Sequence, residues 1–413
     1  MLQLGHNRRL PHATNGVVIP KNSRKVEFSI SAYDSQEKLP LVVISANSVW
    51  NIVNFRTGLI MDLIRSGYCV VVLAPADGYE SRLAELGAEF EPIAVNSSGT
   101  SLGEDWRLLL RYWKILRRLH PAVFLGFTGK PNIYGSLAAE LNGVKTINNI
   151  SGLGTAFLRP GPLQWLVGLL YRVALRRSAT IFFQNQEDLQ MFVSRGLVDR
   201  ERTRLLPGSG IDLERFAAAP EEETPGGEFR FLLVARLIWD KGVAEYVGAA
   251  RIVRAHYPAV RFQMLGFPGA DNRRAVPPED VAAWQEEGII DYLGSSDDVR
   301  AFIRQANCVV LPSYREGMPR SLLEASAMAR PLIASDVPGC REIVADGVNG
   351  FLCDVRSAAS LAAVMIRMIE LDPAERSAMG KSARRKVERE YDHRLIGAAY
   401  LEAIEREHIA AHF

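Results

Sequence analysis

Short apolar runs alternate with longer, helix-length segments along most of this chain. In the first half, the apolar runs lie at residues 41–46, 69–73, 122–125, 144–148 and 180–183. In the second half, they lie at residues 229–235, 260–266, 289–293, 308–311 and 332–335. Continuous apolar runs of this length predict strands that are buried on both faces, and the helical segments between them predict βαβ units. The pattern therefore predicts an α/β fold with parallel sheets.

The alternation stops once, at residues 217–228, where the sequence is acidic, rich in Pro and Gly, and without apolar periodicity. Such a segment is typical of an interdomain linker. We therefore expect two Rossmann-like, doubly wound domains, which bind ligands at the carboxyl ends of their strands and in the cleft between them. The expected parts are an N-terminal extension at 1–38, a first domain at 39–216, the linker, a second domain at 229–390, and a C-terminal helix at 391–413 that packs back toward the first domain.

Composition supports a globular protein and adds one asymmetry. The chain has 413 residues, of which 48% are hydrophobic and 23% charged, with a net charge of +2. These values exclude a disordered or disulfide-rich chain and argue against a general nucleic-acid binder. Residues 1–220 hold 25 Lys and Arg against 18 Asp and Glu, whereas the remainder holds 24 against 29. The basic first half indicates an anionic partner, although chance surface variation would give the same imbalance.

The cysteines and the apolar segments bear on the compartment. Cys69, Cys308, Cys340 and Cys353 are far apart and form no Cys-x-x-Cys pair, which favours a reducing compartment over a disulfide or zinc framework. Residues 1–38 contain no apolar core of a signal peptide, and no apolar run reaches the roughly 18 residues of a membrane span. The sequence therefore predicts a cytoplasmic protein.

Charged residues follow two strands of the second half. Arg236 and Lys241 come directly after the 229–235 run, just before a helix. Two cations beside a helix N-terminus suit a diphosphate, although two solvated surface cations would give the same spacing. Glu316 and Glu324 follow the 308–311 run, where carboxylates could accept hydrogen bonds from ribose or sugar hydroxyls, although exposed helical glutamates at this spacing are common.

Together these motifs resemble the family-4 retaining glycosyltransferases of GT-B fold. The resemblance covers residues 40–405 and rests on Arg-x4-Lys-Gly at 236–242, Glu-Gly-x-Pro at 316–319 with Glu324, and the segments 206–216, 334–344 and 348–352. It implies that Arg236 and Lys241 hold the donor diphosphate and, with Glu316, act in catalysis. It further implies that Glu324 binds ribose, that Glu316, Gly317 and Met318 contact the transferred sugar, and that Tyr292 and Leu293 lie beside the base. The absence of an Asp-x-Asp motif from the sequence agrees with metal-independent transfer.

Polar loops after the strands of the first half supply the candidate acceptor site. Asn47, Asn51, Asn54 and Arg56 follow the first strand, Lys130 and Asn132 follow the third, and Asn149 and Thr155 follow the fourth. Amides both donate to and accept from sugar hydroxyls, although Asn is also common in turns. The three segments resemble those of bacterial enzymes that add a hexose or N-acetylhexosamine to an undecaprenyl-diphosphate-linked sugar.

Two helical segments indicate contact with a membrane surface. Residues 104–119 carry a basic stripe, and residues 162–177 are apolar almost all round. Basic amphipathic helices with Trp are typical of interfacial elements, although packing of both helices on the sheet would explain the same patterns. The candidate membrane residues are Arg107, Arg111, Trp113, Lys114, Arg118 and Trp165.

The sequence as a whole predicts a retaining glycosyltransferase, peripheral on the inner face of the cell membrane. It would move a hexose or N-acetylhexosamine from a UDP-sugar to a polyprenyl-diphosphate-linked saccharide, with no cofactor besides the co-substrate. The alternatives are a transferase with a soluble acceptor or a GDP-sugar donor, and a non-catalytic nucleotide-sugar-binding module. An NAD-linked enzyme is disfavoured because Gly152-Leu-Gly154 lacks the third glycine of the dinucleotide fingerprint.

Overall fold

The computed structural model describes residues 39–95, 102–152, 161–218, 228–268 and 274–410. The predicted extension at 1–38, most of the predicted linker and Thr155 lie outside these ranges. The described residues form two parallel sheets, each covered by helices, so the predicted α/β architecture is confirmed.

The first sheet has seven strands within the described ranges, in the spatial order β3-β2-β1-β4-β5-β6-β7. The strands are Leu41–Ser45 (β1), Cys69–Ala74 (β2), Glu89–Pro92 (β3), Val123–Phe127 (β4), Lys145–Ile150 (β5), Thr180–Phe183 (β6) and Thr203–Leu205 (β7). Its helices are Val49–Phe55 (α1), Thr57–Arg65 (α2), Glu80–Glu85 (α3), Leu102–Leu119 (α4), Ser136–Leu141 (α5), Pro162–Leu175 (α6) and Gln186–Ser194 (α7). Short helical turns at Pro131–Gly135 and Arg200–Arg202 complete this half. The strand order reverses beside β1, which places a ligand crevice at the ends of β1 and β4.

The second sheet has six strands in the part of the chain that the structure describes, ordered β10-β9-β8-β11-β12-β13. The strands are Arg230–Val234 (β8), Arg261–Leu265 (β9), Asp291–Tyr292 (β10), Cys308–Leu311 (β11), Leu332–Ser335 (β12) and Gly350–Cys353 (β13). Its helices are Val243–His256 (α8), Pro278–Glu286 (α9), Arg300–Gln305 (α10), Arg320–Ala327 (α11), Cys340–Ile343 (α12), Ala358–Glu370 (α13) and Pro373–Glu390 (α14). A tight turn at Trp239–Lys241 precedes α8.

The last helix, His393–Ala410 (α15), returns to the first sheet. Backbone hydrogen bonds join Ile211 to Tyr391 and His393 on either side of the turn that leads into it. Ile396, Tyr400 and Ile404 are buried in the same apolar cluster as α1, α2 and strands β1 and β2. The chain therefore crosses between the two domains twice.

One predicted loop is helical. The segment after β1 was expected as a polar loop, but Val49–Phe55 form α1, and Arg56 separates α1 from α2. Ser48 starts α1 because its hydroxyl accepts a hydrogen bond from the Asn51 N–H at 3.1 Å. Arg56 then leaves helical geometry, with φ −132°, and its side chain turns into the protein.

Candidate active site

A cleft of about 1000 Å³ lies between the carboxyl edges of the two sheets. From the first domain it is lined by segments that follow β1, β2, β5, β6 and β7, and from the second by segments that follow β8, β9, β10 and β11. Asn47, Asn51, Asn54, Arg56, Arg236, Lys241, Glu316, Met318 and Glu324 all line it. Residues more than 250 positions apart in sequence are thus brought to one cavity, at the place where doubly wound sheets bind ligands.

Arg236 and Lys241 stand at the end of β8. Gly242 joins Lys241 to α8 with φ +71°, and a Cβ atom there would lie 2.0 Å from the Pro312 carbonyl oxygen. Glycine is therefore required for this turn. The Lys241 ammonium forms an ion pair with Glu316, whereas the Arg236 side chain is exposed and has no partner among the described residues. The two cations can accept an anionic group, and Glu316 neutralises one of them.

Glu324 lies in the second turn of α11 and is nearly buried. Its Oε1 accepts a hydrogen bond from Arg320 Nε at 2.9 Å. Arg320 also reaches the first domain, where Nη1 lies 3.3 Å from both the Ser209 hydroxyl and the Gly210 carbonyl oxygen. Burial raises the pKa of the Glu324 carboxyl, and Arg320 opposes that rise. A desolvated carboxylate held in one orientation is suited to accept hydrogen bonds from paired hydroxyls.

Gly317 lies where the two domains touch. A Cβ at this position would lie 2.3 Å from the Ser151 carbonyl oxygen, so only glycine permits the approach. The Gly317 carbonyl accepts a hydrogen bond from Asn185 Nδ2 at 3.2 Å, and Arg315 forms an ion pair with the buried Asp188. The loop that carries Glu316 is therefore fixed against the N-terminus of α7.

Two further contacts bridge the domains. The Tyr79 hydroxyl donates to the Asp297 carboxylate at 3.0 Å, and Arg341 forms an ion pair with Glu187. Tyr79 and Asp297 both line the cleft. These contacts, with those of Gly317 and Arg315, hold the two sheet edges face to face.

The predicted base-side residues lie outside the cleft lining. The Tyr292 hydroxyl donates to the Gly266 carbonyl at 2.9 Å, and the Leu293 N–H donates to the Met264 carbonyl at 2.9 Å. The cleft is lined in this region by Gly266 and the exposed Phe267. Tyr292 therefore supports the strand end that carries Gly266, and its assignment to the base remains a prediction.

Amides and aromatic rings form the first-domain wall of the cleft. The side-chain oxygens of Asn47 and Asn51 are buried without a hydrogen-bond partner. Asn54 is occupied locally, because its Nδ2 donates to the Trp50 carbonyl at 2.9 Å. The Trp50 ring packs edge-on against Phe55 with centroids 5.3 Å apart. Two buried acceptors are therefore available to a ligand on this wall.

Lys130, Asn132 and Asn149 do not line the cleft. Lys130 Nζ pairs with Asp105 Oδ1 at 2.7 Å. Asn132 Nδ2 donates to the Asn149 carbonyl at 2.8 Å, and Asn149 Nδ2 donates to the Tyr400 hydroxyl at 2.8 Å. The polar groups of these predicted acceptor residues thus join the segment after β4 to α4 and β5, and β5 to α15.

The predicted membrane residues divide into two groups. Arg107, Arg111, Lys114 and Arg118 are exposed on α4, although Arg118 pairs with Glu91 at 2.8 Å. Trp113 packs against the apolar cluster under α4, whereas Trp165 on α6 is 71% exposed. Trp106, which sequence reasoning missed, is 61% exposed on α4. Both helices pack beside the turn at Pro131–Gly135, so they are neighbours on one side of the first sheet.

Sequence reasoning also missed several polar residues of the cleft lining. Ser151, Gln184 and Ser209 follow strands of the first sheet, and Arg215, Arg320 and Asp297 line the cleft as well. Gln184 had the same signal as the predicted residues, since it follows the predicted strand at 180–183, whereas Ser209 follows β7, which the sequence did not predict. Arg320 had none, because only the fold brings it to the first domain.

The described residues contain neither a metal-binding cluster nor a helix suited to crossing a membrane. His, Cys, Asp and Glu side chains in these ranges form no group of three or more that could hold a metal ion. None of the described helices combines the length and apolar character that crossing a bilayer requires. The four cysteines are unpaired.

Two family models match the chain, one for each half. The model described as "Glycosyl transferase 4-like domain" matches residues 55–208, and the one described as "Glycosyl transferases group 1" matches residues 214–386. Together they cover well over half of the sequence. The chain therefore belongs to the family-4 glycosyltransferases, and its two facing parallel-sheet domains are the GT-B fold that the sequence predicted.

Individual relatives agree with this class. An N,N'-diacetylbacillosaminyl-diphospho-undecaprenol alpha-1,3-N-acetylgalactosaminyltransferase of Campylobacter jejuni is 25% identical over 86% of this chain and 96% of its own. A UDP-Gal:alpha-D-GlcNAc-diphosphoundecaprenol alpha-1,3-galactosyltransferase of Escherichia coli is 24% identical over 70% of this chain and 76% of its own. Both names include an acceptor linked to undecaprenol diphosphate. Three segments in the first half of this sequence resemble those of enzymes that act on this class of acceptor.

Solved structures give the same fold. Anabaena HepE, determined with UDP and glucose, superposes with a TM-score of 0.74 at 18% identity and covers 89% of this chain and all of its own. Sucrose-phosphate synthase from Thermosynechococcus elongatus superposes with a TM-score of 0.75 at 16% identity over 90% of this chain and all of its own. At these identities the likeness establishes the architecture, and the chemistry must be argued from the cleft.

Proposed function

We propose that this glycosyltransferase moves a hexosyl or N-acetylhexosaminyl group from a UDP-sugar to a polyprenyl-diphosphate-linked saccharide, with retention at the anomeric carbon. One observation carries the proposal: a single cleft holds the Arg236–Lys241 and Glu316–Glu324 pairs on one wall and the Asn47–Asn51 amides on the other. The first set fits a nucleoside diphosphate sugar, and the second fits the hydroxyls of an acceptor sugar. The relatives that name undecaprenol-diphosphate acceptors support the choice of acceptor.

The donor wall would act on the leaving group. In the transfer, the bond between the anomeric carbon and the UDP oxygen breaks, and a bond to the acceptor hydroxyl oxygen forms on the same face. The departing phosphate takes the acceptor's proton. Arg236 and Lys241 stabilise the negative charge that develops on that phosphate, so no metal ion is needed there. Lys241 would exchange its contact with Glu316 for one with the phosphate, which frees Glu316 to contact the transferred sugar.

The exposed surface of α4 and α6 would hold the protein at an anionic membrane, where a polyprenyl acceptor resides. On α6, Leu163, Trp165, Leu169 and Val173 are exposed, and Arg172, Arg176 and Arg177 lie at the C-terminal end of that helix. Apolar side chains beside cations match an anionic lipid surface, to which each nearby cation contributes about 1 kcal/mol. We infer that the protein is peripheral on the cytoplasmic face of the membrane.

A transfer assay tests the reaction. Purified protein is incubated with a panel of UDP- and GDP-sugars, and with either a short-chain prenyl-diphosphate sugar or a soluble sugar phosphate as acceptor. We expect product only with UDP-sugars and the prenyl-diphosphate acceptor, with the donor's anomeric configuration retained by NMR. Product from the soluble acceptor alone, or no turnover with nucleotide binding intact, would replace the proposal with one of the two rival functions.

A flotation assay tests the membrane surface. We expect flotation with vesicles that contain phosphatidylglycerol and little with pure phosphatidylcholine, and we expect Trp165→Ser with Leu169→Ser to abolish it. Leu395→Ser is the matched control, because Leu395 is 50% exposed on α15. Equal flotation of all variants would contradict the assignment of this surface.

A further inference from the structure

One cation of the first-domain wall is buried without a carboxylate. Arg56 lies between α1 and α2 and is only 6% exposed, yet it lines the cleft. Its guanidinium carbon lies 4.4 Å from the centre of the Phe127 ring, and its Nη1 donates to the Phe55 carbonyl at 2.9 Å. Its Nε is buried and has no hydrogen-bond partner. A guanidinium has five donors, and within the described residues that of Arg56 donates to the Phe55 carbonyl alone.

The electrostatic surroundings do not compensate this charge. The pKa of Arg56 is lowered to about 10, chiefly by burial and to a smaller extent by the nearby Arg320, while Tyr400 acts in the opposite direction. The guanidinium carbon of Arg320, which pairs with Glu324, lies 5.2 Å from the centre of the Phe55 ring. A buried cation without a carboxylate partner lowers the stability of the protein. Such a site is stabilised when an anion enters.

The neighbouring groups indicate what accompanies the anion. Asn47 and Asn51 present buried, unpartnered amide oxygens to the same wall, and these accept hydrogen bonds but give none. Anionic oxygens bind the guanidinium, and hydroxyls bind the amide oxygens. The wall is therefore complementary to a glycosyl phosphate, that is, to a sugar and a phosphoryl group held together.

We propose that Arg56 binds a phosphoryl oxygen of a glycosyl diphosphate in the cleft, specifically the diphosphate of the lipid-linked acceptor. This inference rests on the proposed function, which brings two diphosphates to one cleft. The donor diphosphate has its own cations, Arg236 and Lys241, on the opposite wall. Arg56 belongs to the wall that carries the amide acceptors, which favours the acceptor over the donor as the source of the phosphoryl group.

Binding measurements on Arg56 variants test the assignment. The ligands are UDP, a short-chain prenyl-diphosphate sugar, and the same sugar as an alkyl glycoside without phosphate. We expect Arg56→Met to weaken binding of the diphosphate acceptor by about tenfold or more, with UDP and the alkyl glycoside unaffected. Arg56→Lys should restore part of the loss, because it keeps the charge without the fork. Arg65→Met is the control, since Arg65 is exposed on α2.

The possible outcomes show whether the phosphoryl group that Arg56 binds belongs to the acceptor or to the donor. Loss of UDP affinity instead would assign the phosphoryl group to the donor and overturn the acceptor assignment. Unchanged binding of both diphosphates would overturn the site itself. Should Arg56→Met not fold, Arg56→Gln, which keeps hydrogen-bond donors without the charge, provides the same comparison.

Inorganic pyrophosphate separates this inference from the proposed function. In a Lys241→Ala background, which weakens the donor wall, pyrophosphate should still raise the melting temperature, and Arg56→Met should remove that shift. This result does not depend on sugar transfer. If the protein transfers no sugar but loses the pyrophosphate shift on Arg56→Met, the anion site is supported and the proposed function is not. If it transfers sugar and Arg56→Met affects no phosphate ligand, the proposed function stands and the anion site is refuted.

Discussion

The two walls of the cleft are built on the same parallel-sheet architecture but hold their polar groups differently. On the second-domain wall, Lys241 pairs with Glu316 and Glu324 pairs with Arg320. On the first-domain wall, Asn47, Asn51 and Arg56 keep buried polar atoms without partners. Apart from Arg236, the charged groups named on the second-domain wall are paired with one another, whereas those on the first-domain wall are not.

This difference has a consequence for binding. A ligand that contacts Lys241 or Glu324 on the second-domain wall must compete with their existing ion pairs, so the free energy it gains there is the difference between two sets of contacts. On the first-domain wall, folding has already removed these polar groups from water. Each hydrogen bond that a ligand forms with them therefore contributes more to the binding free energy. We expect substitutions on the two walls to have correspondingly different effects on turnover, binding and stability.

The largest effect is expected for Lys241. Lys241→Ala should lower kcat at least ~100-fold because the charge that stabilises the leaving phosphate is lost. Arg236→Ala should act similarly, and Lys381→Ala, an exposed change on α14, is the control. Steady-state kinetics with the UDP-sugar measures this. Unchanged turnover would remove the second-domain wall from catalysis.

A different outcome is expected for Asn149, which lies beneath the first-domain wall. Asn149→Ala breaks its hydrogen bond to the buried Tyr400 hydroxyl and should lower the free energy of unfolding by about 1–3 kcal/mol. Urea denaturation followed by circular dichroism measures this. A large rise in acceptor KM with full stability would instead assign Asn149 to the acceptor site, as the sequence predicted.

Asn51 should show the reverse pattern. Its buried side-chain oxygen has no partner to lose, so Asn51→Ala should leave stability nearly unchanged while acceptor KM rises about five- to tenfold. The exposed Gln190→Ala on α7 is the control. If donor KM rose rather than acceptor KM, the division of roles between the two walls would be wrong.

The smallest expected effect concerns pH. Because burial raises the pKa of Glu324, its carboxyl takes up a proton at a higher pH than an exposed glutamate would. The protonated form is a poorer acceptor for hydroxyls, so UDP affinity should fall a few-fold between about pH 7 and pH 5. Glu324→Gln should bind more weakly at pH 7 and show a flatter profile. An identical slope in both proteins would assign the pH effect to another group.

Much of the fold followed from the sequence because buried parallel strands are continuous apolar runs. The exceptions have physical causes. Strand β3, Glu89–Pro92, was missed because an edge strand with Glu on its exposed side lacks such a run. Strand β7, Thr203–Leu205, is three residues long, and β13, Gly350–Cys353, begins with glycine, so neither reached the length of a clear signal.

The sequence predicts which residues follow a strand and so lie near the site. It does not predict which of them already bind a partner that is distant in the sequence. Lys130 and Asn149 follow strands as Asn47 does, but Asp105 and Tyr400 use their polar groups. Those partners lie 25 and 251 positions away, so no local pattern reveals them. The burial of Arg56 was likewise invisible, since it depends on the Phe127 ring of another strand.

The return of α15 to the first domain has a consequence for how the protein is made. Ile396, Tyr400 and Ile404 complete the apolar core beside β1 and β2, although more than 300 residues of chain lie between them. During translation, the domain that begins first can reach its final packing only after the second domain has emerged and α15 has followed. A nascent chain halted before α15 would expose an apolar surface on α2, so the first domain should be a substrate for chaperones until synthesis has passed that helix.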